Sequence, residues 1–300
     1  MVDESSRPTR TEYNRGHTWT VVTLREVAQS NRFNPSYFED RFVRVEQELR
    51  ELGANRLGQF IPAFLPDGSK GITYGQVGSR ELDQRGAVRY LQVINIRDTG
   101  IDFAIKPDRI SECSHNDPPR SRVLKDDILL TNTAFRGTDT LIGRCVVVPT
   151  DYGRLNISQD IDRIRVVGVN PYYVGAFLKT KFAQLQMQRV IHGVDSQKIN
   201  FGRIRSLLIP DGTEVNQRET QRQYLEMSRW HQRAMRIKER LLEETGVESG
   251  QYGEAINSLA NEKPAYRRAM EDAKERLHHL IAQLEAVIEG RQRKLKPFPM

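Results

Sequence analysis

The sequence predicts a mixed α+β chain, with a mostly β middle flanked by helices and an antiparallel helical hairpin closing the C-terminal end. Three observations carry this expectation. Short Val- and Ile-rich runs, separated by Gly, Asp, Asn and Pro, fill residues 88–210, and runs of about four to eight such residues read as strands. A helical spacing of apolar residues follows at 170–193. From residue 217 onward apolar residues recur alternately three and four apart, the pattern of a coiled-coil seam.

Composition narrows the class. The chain has 300 residues, enough for one large or two modest domains. Its net charge of +7 and pI near 9.4 favour a polyanionic partner. The two cysteines, Cys113 and Cys145, are far apart and offer no zinc spacing. Cys145 lies in an apolar run and reads as a small buried hydrophobe. The start of the chain is polar, and no long uncharged apolar stretch exists; the expectation is a soluble cytoplasmic protein with reduced thiols and no membrane contact.

Taken in order, residues 1–17 are charged and lack apolar periodicity, so they are expected to be disordered. Residues 18–56 form an N-terminal strand and helix unit. Trp19, Val21, Val22, Leu24 and Val27 make a short apolar segment, and a helix is expected over 36–52 with Phe38, Phe42, Val45 and Leu49 on one face. Gly53 ends it. Residues 57–212 form the central domain. Strands are expected at 57–61, 71–75, 89–96, 127–130, 143–148 and 163–167, with a loop at 111–121. Asn170 then caps a helix whose first residue is Pro171, and Val174, Phe177, Leu178, Phe182 and Leu185 give it a single apolar face up to Gly193. Residues 213–300 form the hairpin. Its first helix carries Tyr224, Met227, Trp230, Ala234, Ile237 and Leu241. Its second, from Pro264 to Gly290, carries Tyr266, Met270, Ala273, Leu277, Leu280, Leu284 and Val287.

Enzymatic chemistry finds little support. Asn170-Pro171-Tyr172-Tyr173 echoes the Asn/Asp-Pro-Pro-Tyr/Phe motif of adenine methyltransferases, but it lacks the second proline and opens a helix without a Gly-rich cofactor loop before it. Asp126 and Asp127 are adjacent and point to opposite sides of a strand, a poor basis for a nuclease metal. Asp108 is followed by no Glu-x-Lys, and no phosphate loop exists. The six histidines, His17, His115, His192, His231, His278 and His279, show no triad or ligand spacing. No metal site, catalytic site or cofactor of its own is expected for this chain.

A family resemblance rests on an ordered set of segments. They are Tyr90-Leu91-Gln92-Val93-Ile94-Asn95-Ile96, Leu124-Lys125-Asp126-Asp127-Ile128-Leu129, and Asn156-Ile157-Ser158-Gln159-Asp160-Ile161. Pro171-Tyr172-Tyr173, Phe177-Leu178, residues 193–199 and residues 204–210 continue the series. In this order they resemble the target-recognition domain of the specificity subunits of type I restriction–modification systems, over about two-fifths of the chain. Residues 57–61 resemble that domain's opening strand, and Ile72-Thr73-Tyr74-Gly75 the segment after it. The resemblance implies sequence-specific recognition of double-stranded DNA without catalysis, on behalf of a partner DNA methyltransferase using S-adenosylmethionine and of a restriction or translocase subunit. It also implies that the helices after the domain set spacing and dock the methyltransferase. The seam residues Met227, Trp230, Ile237, Leu241, Met270, Leu277, Leu280 and Leu284 are then candidates for a partner or dimer surface, the alternative being that the two helices simply bury each other. Family members carry two recognition domains and this chain shows one, so either two chains pair as a homodimer or one domain reads a short continuous site.

Base reading needs planar polar side chains on loops of a rigid scaffold, and phosphate binding needs cations. The candidates are Tyr74 with Gln76 and Asn95 with Arg97 at strand ends, Asn132, Arg136 and Thr138 in the loop 131–138, and Ser196, Gln197 and Lys198 in the loop 192–198. Arg189, Arg203 and Arg205 are further phosphate candidates. Two other readings stay open: a non-catalytic protein-binding adaptor of a defence complex, and the split-off specificity part of a fused restriction–methylation enzyme.

Overall fold

The computed structural model describes residues 10–14, 17–22, 27–28, 35–76, 82–83, 85–115, 117–133, 143–191, 198–245 and 252–299. Strands β1 (Arg10–Asn14) and β2 (His17–Val21) pair antiparallel. The first lies inside the segment expected to be disordered, so that expectation is corrected for these residues. The helix expected over 36–52 divides into a 3-10 turn at Pro35–Phe38 and α1 (Asp40–Glu51). Phe42, Val45 and Leu49 form the buried stripe of α1, and Gly53 ends it with a left-handed φ of +70°.

Two short strands follow from distant parts of the chain. β3 (Asn55–Arg56) pairs with residues 208–209 near the end of the central unit. The strand expected at 57–61 is instead a 3-10 turn, Leu57–Gln59, whose Leu57 N–H donates to Leu207 O (2.7 Å) and buries the leucine. Next come β4 (Ile72–Tyr74) and β5 (Val88–Leu91). The strand expected to continue to Ile96 stops at Leu91, where a 3-10 turn, Val93–Asn95, is held by reciprocal Gln92 and Asn95 side-chain hydrogen bonds. β6 (Arg109–Ile110), β7 (Ile128–Thr131), β8 (Cys145–Val147), β9 (Leu155–Ile157) and β10 (Ile161–Ile164) complete the sheets.

The main sheet is antiparallel with order β4-β10-β7-β8, and a three-stranded sheet of order β6-β5-β9 lies on one side of it. Alternation along β7 explains the layering. Ile128 and Leu130 face a large core shared with helices, while Leu129 faces a second core with Leu91, Val93, Ile96, Val123, Leu155 and Ile157. Covered on both faces, β7 and β8 read as nearly continuous apolar runs rather than alternating ones.

Asn170 caps α2 (Pro171–Phe177) by accepting Tyr172 N–H at 2.9 Å, as expected. The single helix expected up to Gly193 is two. Thr180 interrupts it, its hydroxyl donating to Phe177 O (2.7 Å), and α3 (Lys181–Ile191) starts afresh. Gly175 lets α2 touch the sheet: a Cβ there would lie 2.2 Å from a Val147 methyl. α4 (Phe201–Ser206) and β11 (Leu208–Ile209) return the chain to β3.

Among the described residues the C-terminal unit holds three helices rather than two: α5 (Glu214–Thr245), α6 (Tyr252–Glu262) and α7 (Pro264–Ile288). The antiparallel pairing of the two long helices is as expected. Glu226 meets Arg276 at 2.6 Å, and Asn216 and Gln223 reach the carbonyls of Arg293 and Lys296. The seam, however, is closed inside the chain. Met227, Leu277, Leu280 and Leu284 are at most 3% exposed and belong to the main core beside β7, β8 and α2. Trp230, Ile237, Leu241 and Met270 pack with Ile256 and Ala260 of α6, the helix the sequence reading missed. These eight residues therefore offer no continuous apolar face to a partner. No helix among the described residues is long and apolar enough to cross a membrane.

Candidate nucleic-acid interface

Antiparallel pairing sets the site. β10 lies between β4 and β7, so the C-terminal ends of those two strands meet the beginning of β10 at one end of the sheet. Tyr74 leaves β4 there, 47% exposed. Gly75 follows with its N–H on Ser158 O (3.3 Å), and a Cβ at this position would lie 1.6 Å from Ile157 O. Glycine is thus required for β4 to approach the link between β9 and β10. Gln76 continues as a parallel bridge to Ser158, and its carbonyl accepts from Tyr90 Oη (2.7 Å) and Gln159 N (3.1 Å).

The roots of the two polar loops meet at the same place. Thr133, where the 131–138 loop leaves β7, bridges to Lys198, where the 192–198 loop returns, and Ile199 N–H donates to Asn132 O (2.9 Å). Lys198 is exposed, with Nζ 5.9 Å from the centre of the Tyr74 ring, and Phe201 lies against the same ring at 5.7 Å. Nothing in the sequence ties residue 133 to residue 198; the sheet does. Arg136, Thr138, Ser196 and Gln197 lie outside the described residues.

Beneath this surface is a polar floor. Asn132 is buried and donates from Nδ2 to Asp162 Oδ1 (2.6 Å) and Gln159 O (3.3 Å). The Thr133 hydroxyl faces Asn132 Oδ1 (2.7 Å) and Asp160 Oδ1 (3.1 Å). Asp162 is wholly buried, its Oδ2 has no hydrogen-bond partner among the described residues, and neither does Ser158 Oγ. Burial pushes the Asp162 carboxyl up to about 7, against the Asn132 hydrogen bond and the attraction of Lys198, which favour its charged form. Asp160 and Asp162 were not among the sequence candidates. The available signal was a carboxylate interrupting the apolar face of a strand between Ile161 and Ile164.

The other candidates serve the fold. Asn95, 1% exposed, accepts Gln92 N–H (2.8 Å) and donates to the carbonyls of Asp102 (2.9 Å) and Lys106 (3.1 Å), so its amide is fully engaged inside the protein. Arg97 is half-buried and lies on the side of the C-terminal helices, close enough to Lys238 and Tyr266 to act on both electrostatically. Neither joins Tyr74, Gln76 and Lys198. Of the phosphate candidates, Arg189 donates to Tyr37 O (2.8 Å) and pairs with Glu46, Arg203 donates to Val190 O, and Arg205 donates to Ile61 O (2.6 Å).

The adjacent carboxylates also have structural partners. Asp127 is buried, meets Arg165 at 2.6 Å and accepts Leu124 N–H (2.7 Å). Asp126 accepts from Tyr172 Oη at 2.6 Å. Both line a surface cleft of about 380 Å³ together with Lys125 and Pro171. Among the described residues no His, Cys, Asp and Glu side chains cluster as a metal site.

A search of family models found no match to the sequence, and no curated protein matches it. Solved structures do align with the chain. One is the crystal structure of a type I restriction–modification system S subunit from M. genitalium, at 12% identity and a TM-score of 0.39, covering 68% of this chain and 47% of that one. Another, described as showing complex assembly and conformational transition of the type I restriction–modification system, aligns at 13% identity and a TM-score of 0.38, covering 85% of this chain and 56% of that one. The chain spans about half the length of the chains it matches.

Proposed function

We propose that the chain is the DNA specificity subunit of a type I-like restriction–modification or related phage-defence complex. It reads double-stranded DNA through the loops rooted at Thr133 and Lys198 and delivers the site to a partner methyltransferase or nuclease. The observation that carries this reading is the meeting of those two loop roots beside Tyr74 and Gln76. The roots of two polar loops far apart in sequence, an exposed aromatic ring and a cation come together at one end of the sheet. A stiff scaffold carrying polar loops suits base readout. Methyl transfer would use S-adenosylmethionine bound by the partner, and a motor or nuclease would be a further subunit. Extrusion of the target base would then be the work of the methyltransferase.

The test is selection of duplexes from a random pool by the purified chain, alone and together with a methyltransferase encoded beside it. The expected outcome is one enriched motif, two mirrored half-sites indicating a pair of chains and a single continuous site indicating one. Tyr74→Ala and Lys198→Ala should each weaken binding to that motif by about 1–2 kcal/mol. A pool that stays random under both conditions would sink base readout and leave the protein-binding adaptor.

A further inference from the structure

Outside the candidate interface, the strongest concentration of charge lies on α5. Arg229, Arg233, Arg236 and Arg240 are all exposed. At about 100° per residue they fall within roughly 60° of arc and span about 16 Å of helix axis. Residues 227–238 contain no Asp or Glu, and among the described residues no carboxylate lies within ion-pair distance of any of the four. Glu226 is taken by Arg222 and Arg276, and Glu239 turns the other way, 4.0 Å from Arg89.

The opposite face of the same helix is clamped to the body. His231 contacts Thr99 Oγ1 through Nδ1 (2.9 Å) and Ile101 O through Nε2 (3.0 Å). Lys238, with no exposed side-chain surface, donates to Asp102 Oδ2 (2.6 Å) and Asn257 Oδ1 (2.5 Å). These anchors interleave with the arginines in sequence and oppose them around the axis. The arginine row is therefore held in a fixed position rather than carried on a loose helix.

We infer that this row, Arg229, Arg233, Arg236 and Arg240, is a second contact surface that grips the phosphate backbone of duplex nucleic acid without reading its sequence. The inference rests on duplex DNA being the partner, but not on base readout. A helix face that docks on protein carries apolar or aromatic anchors among its charges. Here the half-buried Trp230 at the edge of the row is covered by Arg233, whose guanidinium lies 5.4 Å from its ring centre, and the four guanidinium forks along one face suit an extended row of phosphate oxygens. An acidic protein face is the competing occupant.

The experiment follows binding of a labelled duplex of arbitrary sequence over a series of salt concentrations. It compares the wild-type chain, the variant Arg229→Gln/Arg233→Gln/Arg236→Gln/Arg240→Gln, and a control that removes four exposed charges elsewhere, Lys263→Gln/Arg267→Gln/Arg268→Gln/Lys274→Gln. Circular dichroism checks that each is folded. Each phosphate contact contributes about 0.9 to the slope of log affinity against log salt, so the stripe variant should lose about 3 to 4 in slope. The control should keep its slope, and any motif selected from the random pool should be the same for all three proteins. An unchanged slope in the stripe variant, an equal loss in the control, or a wild-type chain that binds no duplex would each overturn the proposal. Recovery of an acidic protein through the arginine row, with no duplex bound, would assign the row to that competitor. Base readout fails separately: the slope changes as expected while no motif is enriched.

Discussion

Asp162 is a carboxyl taken out of water on the floor of the interface, with one oxygen held by Asn132 and the other unpartnered among the described residues. Folding raises its pKa from 3.8 to about 7. Between those values the folded chain keeps a proton that the unfolded chain has lost. The stability this group contributes is therefore fully present below about pH 4, declines as pH rises through 7, and does not return above it. Asp162→Asn retains the shape and the contact to Asn132 while removing the titration. Urea unfolding of variant and wild type across this range should show the variant gaining steadily relative to wild type, by at most about 4 kcal/mol at the alkaline end. Parallel stability curves would show that Asp162 does not titrate there. Taking the difference cancels His231, whose slope is opposite: burial holds its imidazole below the usual 6.5, so its contribution is lost as pH falls below that value. Asn132 and Asn95 show why the sequence cannot rank its own candidates. Both are asparagines beside apolar runs, and both are buried with the amide donating to groups from elsewhere in the chain, Asp102 and Lys106 for Asn95, Gln159 and Asp162 for Asn132, so that each is engaged inside the protein.

Helix caps were legible where the signal lay within a few residues. Asn170 with Pro171, Pro264 and Gly290 mark ends that the structure reproduces, because capping is settled within a few residues. The seam of α5 and α7 was legible as a pattern and not as a destination, since an apolar stripe states that something covers it but not what. Where a distant group intervenes, the reading failed. Thr180 ends α2 and begins α3, and Leu57 turns instead of extending because its N–H goes to Leu207. The pair formed by Lys238 and Asp102, which fixes α5 to the body, was invisible for the same reason: 136 residues separate the partners. Removing one member strands a buried charge, so Lys238→Met should cost about 3–5 kcal/mol in chemical denaturation. A loss below about 1 kcal/mol would mean that the clamp contributes little to the position of the helix.

At the level of the molecule, residue 212 is a boundary of pattern but not of packing. One buried cluster runs from Val45 to Leu295 and mixes sheet, α2 and both long helices. The Tyr224 hydroxyl of α5 accepts the N–H of Val147 in β8 at 2.9 Å. A fragment ending at residue 212 would expose this face of the sheet. It should show no cooperative unfolding transition, whereas residues 1–300 should unfold in one step by circular dichroism and by tyrosine and tryptophan fluorescence alike. A stable, monomeric fragment would show that the body closes its own core. The shared core also sets an order in time. The body cannot finish folding when its own residues leave the ribosome; it must wait until Leu295 is made, 83 residues after position 212. At ordinary elongation rates that is roughly 4–17 s, during which the face of the sheet that the C-terminal helices cover stays open to water.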